Sequence, residues 1–265
     1  MKLSITLPSL FPDLLSRAIA SIHEHTAHLD HEILVVSPFE ASGPNVRWIP
    51  EDQPRGNCHA HNEAARHATG DLVLAMCDDH APMARWADEF LAFFTEREKG
   101  HEIYVCGLNI HCGPVGTAFG IYYPYFPVLR RRSIERIGGY YRPQFAAHFG
   151  DVDLGMRIWR SGGRCEYCYD ARIAPIRDET SNAPESPHKS QAKYRDMETF
   201  LREWRPIYGE DWGPCENIRD FNLDIPGRFF KDFLVDHTIY DNRPAFRDKV
   251  MAFYKTLPND SIMRW

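Results

Sequence analysis

The chain lacks any run of about 20 apolar residues, so nothing in it reads as a transmembrane helix. Its first 22 residues are mildly apolar but are broken by Pro8, Pro12, Asp13 and Arg17. No small-residue cleavage site follows, which argues against a signal peptide. Basic residues are in the minority, 31 Lys and Arg against 37 Asp and Glu, for a formal charge of −6. A surface built to grip a polyanion needs the opposite balance. Nucleic acid is therefore excluded as the main partner, while a local basic spot suffices for one diphosphate. The seven cysteines are odd in number and scattered, which suits a reducing cytoplasm better than a disulfide framework. Cys165 and Cys168 form a single C-x-x-C; with no second pair they complete no zinc site, and on a strand the two thiols point to opposite faces. Neither G-x-x-x-x-G-K-[ST] nor G-x-G-x-x-G occurs, which removes most of the case for kinase-type phosphate loops and dinucleotide folds.

What is present is a 265-residue chain with 43% hydrophobic residues, enough to bury a substantial core. Its first half alternates strand and helix signals. Strands are expected at Lys2 to Leu7, His31 to Val36, Val46 to Ile49 and Asp71 to Cys77. Helices are expected after Pro12, from Asn57 to Thr69 and from about Arg85 to Lys99. Such alternation implies an α/β fold with a mostly parallel sheet covered by helices on both faces. Further helices are expected at Ser133 to Ile137, Asp151 to Ser161, Gln191 to Trp204 and Phe246 to Tyr254. Residues 1–180 read as one domain, with a first half at 1–82 and a second at 83–180, and residues 181–265 as a helical extension packed on it.

Ligands of parallel sheets collect beyond the carboxyl ends of the strands. Pro8-Ser9, Ser37-Pro38 and Cys77-Asp78-Asp79-His80 all fall there. Two adjacent carboxylates repel unless a cation or hydrogen bonds offset the charge. A hard divalent ion such as Mg2+ or Mn2+ would do so, and a solvated helix-capping turn is the plainer alternative. Arg55-Gly56-Asn57, just before a helix, offers a guanidinium and backbone N–H groups to phosphate. Asp151, at the start of its helix in Gly150-Asp151-Val152-Asp153, reads as a general base or a capping acid. Gly150 would leave room there for a substrate near the backbone. Asp153, two residues on, points away and takes a structural or acceptor-orienting role. Most of the thirteen histidines read as structural or superficial. His59 and His61 flank the helix start and are weaker candidates for ligand contact.

The order of these motifs carries more than any one of them. Leu7-Pro8-Ser9 and Glu32-Ile33-Leu34-Val35-Val36 are followed by Gly56, Ala60, Asn62, Ala64, Ala68, Gly70 and Asp71. Asp78-Asp79 comes next, then Arg131, Ile137-Gly138-Gly139, and Gly150-Asp151-Val152-Asp153-Leu154 with Arg157 and Gly162. Across roughly residues 2 to 178 this series resembles the family 2 glycosyltransferases of the GT-A fold. The resemblance implies transfer of a hexosyl or N-acetylhexosaminyl group from a nucleoside diphosphate sugar to an acceptor hydroxyl, with inversion. It implies Mn2+ or Mg2+ at Asp79, with Asp78 near the ribose or in the metal shell. Asp78-Asp79-His80 also resembles the Asp-x-His of polypeptide N-acetylgalactosaminyltransferases, which would make His80 a ligand. Pro8, Ser9, Ser37, Arg55, Asn62 and Asp78 would line the donor site, and Asp151 would be the base. The family usually has an aspartate where Ser37 stands, and many relatives have a late histidine where Ala174-Pro175-Ile176-Arg177 stands. The Q-x-x-R-W motif of processive synthases is missing, so a single transfer is expected. Acceptor specificity is expected from Gly113 to Pro127 and the last third. The alternatives are a degenerate GT-A domain that binds without turnover, and a nucleotidyltransferase, which would be expected to carry a basic glycine-rich loop after the first strand.

Overall fold

The computed structural model describes residues 1–110, 115–118, 121–176, 187–204, 206–207 and 230–232. Four parallel strands make the first half of the sheet: β1 (Leu3–Pro8), β2 (His31–Ser37), β3 (Val46–Pro50) and β4 (Leu72–Ala75), in the order β3-β2-β1-β4. Helix α1 (Pro12–Thr26) returns the chain from β1 to β2, and α2 (Asn57–His67) from β3 to β4. Pro12 opens α1, where its missing N–H is no loss, and Leu15, Ala18, Ile22 and Thr26 bury one stripe at three- and four-residue spacing. Leu3, Ile5 and Leu7 of β1 join that stripe in one apolar cluster. On the other face of β1, Thr6 bonds His61 of α2.

The sheet continues through strands whose bounds could not be read from the sequence. β9 (Val128–Arg130) runs antiparallel between β4 and β6 (Tyr104–Ile110). β10 (Arg164–Pro175) lies parallel to β6, and β5 (His80–Pro82) closes the edge antiparallel to β10. Four of the seven pairings are therefore parallel, those of β3-β2, β2-β1, β1-β4 and β6-β10. A second sheet, β11-β7-β8, joins Phe230–Asp232, Val115–Ala118 and Ile121–Tyr122.

Helices α3 (Trp86–Arg97), α4 (Arg131–Arg136), α5 (Gly150–Arg160) and α6 (Pro187–Trp204) complete the described elements. One core cluster gathers α1 and α3 residues on one face of the sheet, and the other gathers α2, α5 and α6 residues on the opposite face. Cys165 and Cys168 are both buried, one in each cluster, as two thiols of opposite strand faces should be. The helix expected at Phe246 to Tyr254, most of the 181–265 extension, and residues 113–114 and 119–120 of the expected acceptor region lie outside the described residues. Among the described residues no helix is long and apolar enough to cross a membrane.

Candidate functional site

The acidic turn after β4 is tied to the end of β1. Ser9 donates its hydroxyl proton to Asp78 Oδ2 at 2.5 Å, and Phe11 N–H bonds Ser9 Oγ at 3.0 Å. Asp79 Oδ1 lies 2.7 Å from His80 Nδ1, and the Asp79 carbonyl accepts Ile176 N–H at 2.7 Å. The turn is thereby pinned to the end of β10, where His80 pairs in register with Pro175. The segment where a late histidine was missed thus lies directly beside His80, whose ring packs 5.0 Å from Phe126. Two carboxylates in one turn at a strand end are a hard oxygen donor set, and they fit a Mg2+ or Mn2+ site that borrows phosphate oxygens for the rest of its shell. No cluster of three or more His, Cys, Asp or Glu side chains able to cage a metal occurs among the described residues.

The nucleoside-side residues are less open than their positions suggested. Ser37 is fully buried, and its hydroxyl donates to the Phe39 carbonyl at 2.5 Å. Asn62 clasps one residue at both ends: Nδ2 donates to Tyr141 O at 2.6 Å, and Oδ1 accepts Tyr141 N–H at 2.7 Å. Its amide therefore fastens α2 to the segment ahead of α5. His61 is buried against Thr6, and desolvation lowers its pKa to about 3, so it is a neutral core histidine. Arg55 keeps 59% of its side chain exposed beside Gly56, which caps α2. Gly56 has φ of +106° and lies so close to the Ala146 carbonyl that a Cβ would fall 2.2 Å from its oxygen. That carbonyl also accepts Cys58 N–H at 3.1 Å.

Asp151 and Asp153 share α5 but not their surroundings. Asp153 is 0% exposed. It accepts from both Arg142 Nε and Nη2, from Arg157 Nε at 2.8 Å and from Trp204 Nε1 at 2.9 Å. Arg157 also donates to the carbonyls of Ile137, Gly139 and Tyr140, and Arg142 to Glu203. This hub is structural: it locks α5, α6 and the segment at 137–142 together. Asp151 meets no guanidinium or ammonium among the described residues. Burial pushes its carboxyl up to about 6, against the pull of the Val152 N–H at 2.9 Å. The residue keeps part of its surface accessible, while its carboxyl group is enclosed. The room at Gly150, expected to serve a substrate, is filled by protein instead: a Cβ there would lie 2.6 Å from Cys58 Sγ and 3.2 Å from the Tyr141 ring.

Tyr141 is buried where Asn62 of α2 fastens the segment ahead of α5. Burial raises its phenol pKa well above the ordinary value, and Tyr140, Asp151, Cys58 and Cys77 add to the rise. Asp151 likewise acts on Tyr123 and Tyr125, whose hydroxyls share a 2.8 Å hydrogen bond. The base candidate is thus near enough to three buried or half-buried tyrosines for its charge to raise their pKa values.

Two features escaped the sequence. Asp196 of α6 is fully buried, and its Oδ2 accepts three successive backbone N–H groups, from Ala146 at 3.1 Å, Ala147 at 2.9 Å and His148 at 3.0 Å. The signal was there: Ala192, Asp196, Phe200 and Trp204 recur every four residues, and all are buried, so the acid lies in the core-facing stripe. Glu51, just beyond β3, is buried beside Arg55 and His59. It follows no motif and gave no signal.

No family model matches the chain, and no curated protein matches it. Solved structures do. The mannosyltransferase PcManGT from Pyrobaculum calidifontis, in complex with GDP-Man and Mn2+, superposes with a TM-score of 0.57 at 16% identity, over 95% of this chain and 84% of that one. S. aureus TarS 1-349 in complex with UDP-GlcNAc gives 0.54 at 15% identity, over 97% and 90%. GalNAc-T7 with UDP, GalNAc and Mn2+ gives 0.56 at 12% identity, over 82% of this chain; the match spans 53% of that chain. By these superpositions the chain has the GT-A glycosyltransferase fold.

Proposed function

We propose that the protein transfers one sugar from a nucleoside diphosphate sugar to an acceptor hydroxyl, with inversion. What supports this reading is the GT-A fold with one acidic turn after β4 and a second at the start of α5. One is cross-linked to β1 by Ser9, and the other bears an enclosed carboxylate whose pKa is raised to about 6. Asp78 and Asp79 would hold Mg2+ or Mn2+, with His80 as the further candidate. A divalent ion there supplies charge to offset the departing diphosphate.

The chain's own residues do the remainder. Ser9 fixes the Asp78 carboxylate, and His80 fixes Asp79. Arg55, exposed at the start of α2, turns to the donor phosphates. Asp151 takes the proton of the acceptor hydroxyl as its oxygen bonds to the anomeric carbon and the carbon–oxygen bond to the diphosphate breaks. A carboxylate near pKa 6 is still mostly ionised at pH 7 and is a stronger base than an ordinary aspartate. The tyrosines near Asp151 would limit water at the anomeric carbon, which favours transfer over hydrolysis. The test is a panel of nucleotide sugars assayed with Mn2+ for release of nucleoside diphosphate. Release from one donor, stimulated by an acceptor, supports the reading; binding without release from any donor points to a domain that binds and does not turn over.

A further inference from the structure

Among the described residues, Glu32, Glu51 and Glu166 are largely enclosed, and two of the three are saturated. Glu32 accepts from Ser4, Lys2 and both the N–H and hydroxyl of Thr69, and these contacts hold its pKa below the usual range despite burial. Glu166 is gripped by both Nε and Nη2 of Arg97, with Tyr104 and Arg164 beside it, and is lowered likewise. Glu51 differs. Its side chain is 8% exposed, yet its contacts are long and fall on one oxygen. Oε1 lies 3.4 Å from the Arg55 backbone N, 3.9 Å from Arg55 Nε and 3.7 Å from His59 Nδ1. Oε2 accepts no hydrogen bond from any described residue. His59 Nδ1 is itself buried without a partner. Burial raises the Glu51 pKa, more than Arg55 lowers it, and Glu63 adds to the rise. Oε2 is not among the buried atoms that lack a partner, so this otherwise enclosed carboxylate keeps one oxygen open to a ligand's N–H.

Its place in the fold says which ligand. Glu51 N–H bonds the carbonyl of Ser37 at 3.1 Å, so the ends of β2 and β3 are joined at this point. Ser37 stands where a nucleoside-reading acid was expected, and its hydroxyl is held by Phe39. The order β3-β2-β1-β4 sets Glu51 three strands from the Asp78–Asp79 turn. At about 4.8 Å per strand that is roughly 14 Å, the reach of a nucleoside diphosphate laid across the strand ends.

We propose that Glu51 reads the nucleobase of the donor, Oε2 accepting the ring N–H of a base that presents one, uracil or guanine. This rests on the nucleotide-sugar reading above. Cytosine and adenine turn a ring lone pair to the same place, which a carboxylate repels.

Calorimetric titration with UDP, GDP, CDP and ADP in Mn2+, on the full chain and on Glu51→Ala and Glu51→Gln, tests it. The parent is expected to bind UDP or GDP about tenfold or more tightly than CDP and ADP. Glu51→Ala is expected to remove that preference, leaving CDP and ADP within about twofold of the parent, with a melting temperature unchanged or raised. Glu51→Gln, whose amide both donates and accepts, is expected to narrow the preference. Equal weakening of all four nucleotides with a lowered melting temperature would mark Glu51 as structural and overturn the proposal. So would an unchanged preference in Glu51→Ala, which leaves the donor reading intact. Failure of the parent to bind any of the four overturns both.

Discussion

At the scale of single residues, Asp151 and Asp153 show how two turns of phrase in one sequence, both reading as Asp at a helix start, come to different ends. Asp153 is held by Arg142, Arg157 and Trp204, which makes it a joint of the scaffold. Asp151 has a pKa of about 6 in place of its ordinary 3.8. The folded chain therefore binds a proton that the unfolded chain releases between those values. Stability from this group is fully present below pH 4 and is lost as pH rises through about 6, leaving a burial penalty of up to about 3 kcal/mol at neutral pH. Asp151→Asn is accordingly expected to raise the melting temperature at pH 7.5 more than at pH 4. The same change should lower kcat about a hundred- to ten-thousand-fold with donor affinity nearly intact. Melts at the two pH values and a kcat profile rising through pH 6 in the parent check both halves; near-normal turnover in the variant would remove Asp151 from the chemistry. Arg55→Ala is expected to weaken UDP or GDP binding by about 1.5 to 3 kcal/mol, and unchanged affinity would leave Arg55 a surface residue. The acids at strand and helix ends were legible because position and charge coincide in the sequence. The Asp153 hub was not: its partners Arg142 and Trp204 lie 11 and 51 residues away.

At the scale of elements, the helices were legible from their apolar spacing and their Pro and Gly boundaries, while the strands that reverse direction were not. β5 and β9 have three residues each, too few for a period-two pattern to be told from a loop. α6 was legible as a helix, but its docking was not, because that depends on where residues 146–148 lie in space. Asp196→Ala should leave three backbone N–H groups without their acceptor and cost about 2 to 4 kcal/mol in denaturant unfolding, with Asp196→Asn intermediate. An Asp196→Ala protein as stable as the parent would show that water replaces the carboxylate at no loss.

At the scale of the whole molecule, the alternation of strand and helix foretold the α/β sheet, and the superpositions carry the GT-A fold. The strand order beyond β4 was beyond reach of the sequence, since it is decided by long-range pairing of β6, β9 and β10. The site assembles from both halves of the sheet, with Ser9 and Asp78 on one side and Ile176, beyond β10, holding Asp79 from the other. Binding of UDP or GDP is expected to require Mn2+ or Mg2+ and to be lost in Asp79→Ala. Equal affinity in EDTA and in Mn2+, measured by calorimetry, would count against a metal at this turn.

The grip of Asp196 on residues 146–148 has a consequence for anyone recombining this chain with a relative. The segment it holds leads within three residues to Asp151 and also abuts Gly56, so α6 belongs to the same mechanical unit as the turn proposed to carry the base. A chimera that swaps residues 187–204 imports a new bracket for the base along with a new surface. To keep the base in register, the incoming helix must bring an acid at 196, an acid at 203 for Arg142 and an indole at 204 for Asp153.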